Sequence, residues 1–128
     1  MDYARFAHML LNGGALDGNR VLGKKTVALM TNDQLAPSVN RGAFFIPGQS
    51  HGFGLLGGVR TEGPRAPGVL NSMDGSVGEF FWAGYAGTYF WVDPKEQLVG
   101  VLMQQAAGPT RPWYRREFKQ LVYQAIVD

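Results

Sequence analysis

The sequence predicts an α+β fold: an antiparallel sheet of about four strands with helices packed on it. Three observations point that way. Two stretches of helical periodicity fill the first 31 residues, three runs of aromatic and β-branched residues separated by short turns fill 78–105, and a last helical stripe closes the chain. Helices and strands segregated along a chain, rather than alternating, read as α+β. The 128 residues, 45% of them hydrophobic and 17% charged, suffice for one core and argue against disorder.

The elements follow in order. Asp2 can cap a first helix over 2–13, because its carboxylate can accept free N–H groups of the first turn. Tyr3, Phe6, Met9 and Leu10 recur there at helical spacing, and Gly13-Gly14 supplies the stop. Asp17-Gly18 marks a turn. A second helix over 24–31 offers Val27, Leu29 and Met30 for burial. Its start is weak, since Gly23 is a poor cap and Lys24 and Lys25 sit where the helix dipole favours anions. Residues 32–50, with Pro37, Asn40, Gly42, Pro47 and Gly48, read as a long loop of the kind that often carries function.

A strand is expected over 53–60, then a second loop through Gly63, Pro64, Pro67 and Gly68. Strands over 78–83, 88–93 and 98–105 form a meander joined by turns at 83–87 and 93–97. Pro112 opens a helix over 112–127 whose apolar stripe is Tyr114, Phe118, Leu121, Val122, Ala125 and Ile126.

Several function classes drop out. With no cysteine, a disulfide scaffold and any thiolate chemistry or metal site are excluded. His8, read as a partly exposed helix residue, and His51, at a loop end where a strand begins, lack a carboxylate at ligand spacing; no metal or cofactor is expected. No apolar run approaches the roughly 18–20 residues of a membrane span, and no signal-peptide pattern opens the chain. Compartment stays undetermined.

The net charge of +2 says little, and Arg111, Arg115, Arg116 and Lys119 read as a solvated helix face. Nucleic acid is not an expected partner, because residues 80–92 contain no basic side chain to accompany their aromatics. Gly52, Gly54 and Gly57 match G-x-G-x-x-G, but Pro47-Gly48 before and Gly63-Pro64 after leave no room for the helix that a dinucleotide site needs. A Gly-rich strand permitting close packing is the better reading. Ser38, Ser50, Ser72 and Ser76 fall in neither G-x-S-x-G nor S-x-x-K, and Ser38-Val39-Asn40 matches only a short S-x-N pattern. No nucleophile declares itself.

One segment is more specific. Residues 78–96, GEFFWAGYAGTYFWVDPKE, continue to VGVLMQQ at 99–105. Together with MDYARF at 1–6, MLLNGG at 9–14 and KTVALM at 25–30, they resemble, in the right order, the C-terminal part of the serine β-lactamase-like hydrolases. That superfamily includes class C β-lactamases, D-alanyl-D-alanine peptidases and related esterases. The resemblance implies acyl transfer by a serine of an S-x-x-K motif, aided by its lysine and by the tyrosine of Y-x-N. A third motif, K-T-G or its H-x-G and W-x-G variants, lies on a strand facing that serine.

Trp82-Ala83-Gly84 falls at the third motif. By that correspondence Gly84 lets substrate approach the backbone, and the N–H of Tyr85 is an oxyanion-hole donor. Trp82 and Ala83 replace the lysine and threonine that bind a β-lactam carboxylate, so a small-molecule ester or amide is the implied substrate. Neither S-x-x-K nor Y-x-N occurs in the chain. The expectation is therefore a C-terminal fragment of an esterase-like hydrolase, inactive alone; the alternative is a non-catalytic binding module that keeps the sheet. Expected partners are the missing N-terminal segment of the same enzyme, or a second copy in a homodimer, possible also by strand exchange.

Overall fold

The computed structural model describes residues 2–42, 45–63 and 74–127. The order is α1 (Asp2–Leu11), β1 (Ala15–Leu16), β2 (Asn19–Arg20), α2 (Lys24–Thr31), β3 (His51–Phe53), β4 (Gly58–Arg60), β5 (Phe80–Ala83), β6 (Tyr89–Asp93), β7 (Leu98–Leu102) and α3 (Arg111–Gln124). Strands β3 to β7 form one antiparallel sheet in sequence order, and β1 pairs with β2 in a separate hairpin. The fold is α+β, as the segregated pattern predicts.

Because strand side chains alternate between faces, the sheet sorts its aromatics into two layers. Phe80, Phe90 and Val92 join Ala7, Met9 and Leu10 of α1 and Val27 of α2 in one cluster. Phe81, Tyr89 and Trp91 form the other, packed by Phe118, Val122 and Tyr123 of α3. The sheet is thus covered by α1 and α2 on one side and α3 on the other. All five residues of β6 are buried, which explains its unbroken apolar run. Opposite Trp91 the register places Gly100, where a Cβ would lie 2.2 Å from the indole.

The structure differs from the sequence reading in several elements. The strand expected over 53–60 is the hairpin β3–β4, so the main sheet has five strands. Gly54 N–H donates to Gly57 O (2.8 Å), closing the turn, and Leu55 at its tip is 64% exposed. The glycines serve close backbone approach: a Cβ on Gly54 would lie 2.5 Å from Met30 O, and one on Gly57 2.4 Å from Phe81 O. The Asp17-Gly18 turn belongs to the extra hairpin β1–β2, with φ of +49° and +78° at its two central residues, as a two-residue type I′ turn requires.

The first helix ends at Leu11, two residues early, as Gly13 and Gly14 turn back on it with positive φ. In α2 only Val27 is buried, and Leu29 is exposed. The largest departure is α3. Tyr114, Leu121 and Ile126 of the expected stripe are exposed, whereas Arg115 and Lys119 are buried.

The long loop is tied down by Asp33. Its Oδ1 accepts the N–H groups of Leu35 (3.0 Å) and Phe53 (2.9 Å), and its Oδ2 accepts Arg41 Nη2 (2.9 Å). Pro64, Pro67 and Gly68 of the expected second loop, and Ser72, lie outside the described residues. No helix among the described residues is long and apolar enough to cross a membrane.

Candidate functional site

Strand β5 delivers Trp82 and Ala83 into a turn over residues 84–87 that leads to β6. Gly84 N–H donates to Thr88 O (2.9 Å) and Gly87 N–H to Gly84 O (3.1 Å). Gly87 has φ +110°, a left-handed conformation that favours glycine. A Cβ on Gly84 would come within 2.2 Å of Thr88 Oγ1, a hydroxyl that would have to rotate away to admit it.

All four carbonyls of the turn are engaged from within the protein. Arg115 Nη2 donates to Gly84 O (2.5 Å), Arg111 Nη1 to Tyr85 O, and Ala106 N–H to Ala86 O (2.7 Å). Gly87 O accepts Gln104 Nε2 (3.0 Å) and, more weakly, Arg115 Nε (3.4 Å). No described residue accepts the N–H of Tyr85. The Tyr85 ring is 83% exposed and stacks under the Arg111 guanidinium, 4.4 Å from the ring centroid.

Two open hollows flank this segment. One, about 220 Å³, is mostly apolar and lined by Tyr3, Trp82, Gly84, Phe90, Val101 and Met103 among others. The other, about 310 Å³, is bounded by Ile46, Trp82, Tyr85, Arg111 and Arg115. Trp82 faces both and is steadied by an edge-on contact with Phe53 (5.2 Å between centroids). Trp82, Ala83, Gly84 and Tyr85 therefore sit together at the rim of the sheet, as one strand end must hold them.

Beneath the sheet lies a buried polar cluster. Lys119 Nζ meets Glu79 Oε1 at 2.5 Å, both side chains fully buried, and the Tyr123 hydroxyl lies within hydrogen-bond reach of Glu79 Oε2 (3.1 Å) and Asp93 Oδ2 (2.7 Å). Burial lowers the Lys119 ammonium to about 8, with Glu79 opposing that fall. Burial also works against the Asp93 carboxylate, yet hydrogen bonds from Tyr123 and from the N–H groups of Ser76 and Glu96 outweigh it and hold Asp93 below its ordinary value. The Tyr123 phenol is raised by burial and by the two carboxylates beside it.

The remaining candidates are not part of the rim. His51 is fully buried, edge-on to Phe81 (5.3 Å), and lines neither hollow. Burial, with the charges of Arg60 and Lys119, lowers its imidazole to about 4. His8 is exposed on α1. Ser50 and Ser76 are buried and Ser38 is exposed, and none lines a hollow. Among the described residues no His, Asp and Glu cluster could hold a metal ion. Sequence reasoning missed Arg111 and Arg115, whose helical spacing of four with Lys119 put three cations on one face. That is a pattern of solvated helices as much as of buried ones.

Comparison with known proteins bears on this geometry. Residues 1–124 match the Beta-lactamase family model. Protein Rv1367c and Uncharacterized protein MT1414, both of Mycobacterium tuberculosis, are each 38% identical over 102 residues, covering 77% of this chain and 24% of theirs. Unliganded simvastatin synthase (LovD) from Aspergillus terreus superposes with a TM-score of 0.69 at 22% identity, covering 94% of this chain and 33% of that one. A mutant of the same synthase gives a TM-score of 0.71 at 22% identity, over 95% of this chain and 32% of that one. At such identity the likeness is one of fold. The chain spans about a quarter of the curated relatives' length and about a third of the solved chains' length.

Proposed function

The chain belongs to the Beta-lactamase family, and from that premise we propose that it supplies one wall of an acyl-transfer site in a serine hydrolase acting on esters or amides. In this reading the catalytic serine and its base come from a segment outside these 128 residues, since S-x-x-K and Y-x-N do not occur in them. The base takes the serine hydroxyl proton as the serine oxygen adds to the substrate carbonyl carbon; the carbonyl π electrons move to oxygen, and the oxyanion accepts a hydrogen bond from the Tyr85 N–H. Collapse of the intermediate re-forms the carbonyl and breaks the bond to the alcohol or amine, which leaves with the proton the base had taken; the acyl group stays on serine until water cleaves that ester. Removing a side-chain donor from such a site costs about 3–4 kcal/mol, which sets the scale for a backbone donor aimed at that oxygen.

The observation that carries this reading is the turn over 84–87. Its carbonyls are all bound inward, and the Tyr85 amide is left available at the rim beside Gly84. Trp82 and Ala83 offer no cation or hydroxyl for a substrate carboxylate, which favours a neutral ester or amide over a β-lactam. The apolar hollow beside Gly84 is consistent with an apolar acyl or alcohol group.

The test is direct. The purified 128-residue chain is expected to release no p-nitrophenol from p-nitrophenyl butyrate and to leave nitrocefin intact, with neither burst nor turnover. Joined to a serine-bearing N-terminal segment of the family, it is expected to hydrolyse the ester. A burst from the chain alone, or no activity in the joined protein, would sink the proposal, the second outcome favouring a binding module.

A further inference from the structure

Arg115 poses a problem of energetics. Its side chain is 4% exposed, and among the described residues no carboxylate pairs with it. Burying a cation without a counter-charge is costly, and Arg111 nearby adds to burial in disfavouring its charged form. Its hydrogen bonds go to two backbone carbonyls of one turn, Gly84 O and Gly87 O. A helix can be docked on a sheet more cheaply with apolar side chains, so the charge at this place calls for a reason.

The reason lies in the peptide unit joining Gly84 to Tyr85. No described peptide bond is cis, so the Gly84 C=O and the Tyr85 N–H belong to one plane and point in opposite directions. Whatever holds that oxygen also aims that hydrogen, here away from α3. A cation on the carbonyl oxygen further draws electron density from the peptide nitrogen, which makes its N–H a stronger donor. With no carboxylate of the described residues beside it, the guanidinium also leaves a positive field behind the donor, where negative charge would develop.

We propose that Arg115 is a positioning residue that aims and strengthens the Tyr85 N–H by holding the Gly84 carbonyl from behind. The proposal rests on the reading of Tyr85 as the oxyanion donor. Arg111 provides an internal control, because it holds the Tyr85 carbonyl and so governs the next amide, that of Ala86.

The experiment has two arms. In amide proton–nitrogen spectra of the 128-residue chain, Arg115→Gln is expected to move the Tyr85 amide upfield and leave Ala86 nearly in place, while Arg111→Gln does the reverse. Arg115→Lys, which keeps the charge but not the fork, is expected to move Tyr85 part of the way and serves if the glutamine variant does not fold. A Tyr85 amide that stays put in a folded Arg115 variant, or that responds equally to Arg111→Gln, overturns the proposal.

In the joined, ester-cleaving protein, Arg115→Lys is expected to lower kcat about 10–100-fold with KM within about twofold. A rise in KM alone, or an unchanged kcat, overturns the positioning role. If the unsubstituted joined protein has no activity, the acyl-transfer reading fails by itself, and the spectra still decide whether Arg115 governs the Tyr85 amide.

Discussion

His51 shows how burial and neighbouring charge together decide what an ionisable side chain does. It packs edge-on against Phe81 with no exposed surface, and its imidazole is lowered to about 4 by burial and by Arg60 and Lys119. The ordinary value in an unfolded chain is about 6.5, so between those two values the unfolded state takes up the proton first. The stabilisation is present above pH 6.5 and is lost as pH falls toward 4. At about 1.4 kcal/mol per pH unit the whole window is worth on the order of 3 kcal/mol. Urea unfolding at pH 7 and pH 4.5 is therefore expected to show a marked loss at the lower pH, smaller in His51→Gln. An equal loss in both proteins would show that the pH dependence does not come from His51; Asp93, held below its ordinary value, gives up its stabilisation only as pH falls below about 4.

At the scale of the element, α3 is held by polar groups where the stripe of its sequence promised apolar ones. Lys119 and Tyr123 reach Glu79 and Asp93 beneath the sheet, while Phe118, Val122 and Tyr123 supply the apolar packing around Trp91. Removing one member of a buried ion pair leaves a desolvated charge and typically costs about 3–5 kcal/mol. Lys119→Met is expected to destabilise the chain by that order in urea unfolding. Adding Glu79→Gln, which keeps an acceptor for Tyr123 but removes the charge that Lys119 balanced, is expected to recover at least half of it. A double variant no better than the single one would show that the lysine acts by packing and not by pairing.

At the scale of the molecule, β7 is an edge of the sheet among the described strands, whereas at the other end the backbone of Phe53 in β3 is hydrogen-bonded to Asp33 and Gln34. Large apolar side chains stand open beside one of the hollows. Met103 is 70% exposed and Tyr3 46%. Unpaired edges and open apolar surface favour association. We expect the isolated chain to dimerise as its concentration rises, and the serine-bearing segment, when supplied, to compete with that dimer. Sedimentation velocity showing one clean monomer at every concentration would count against both. The solved relatives are about three times as long as this chain, which makes a second segment the natural competitor.

What could be read before folding was whatever neighbouring residues decide between themselves. Aromatic runs separated by short turns make strands, Gly13-Gly14 ends a helix, and the span holding Trp82, Ala83, Gly84 and Tyr85 stands out by its resemblance to the family's third motif. Other properties depend on groups far apart in the chain. The 53–60 segment turns between Gly54 and Gly57, and its hairpin can lie as close as it does to Met30 O and Phe81 O because neither position carries a Cβ. The inward face of α3 is set by Glu79, 40 positions before Lys119, and by Gly84 O, 31 positions before Arg115. By itself the sequence determined the elements and the segment on which a site could form. The tertiary structure alone decided which charges are buried and which way the peptide between Gly84 and Tyr85 points, because a cation is stable in an interior only where distant acceptors have been brought to meet it.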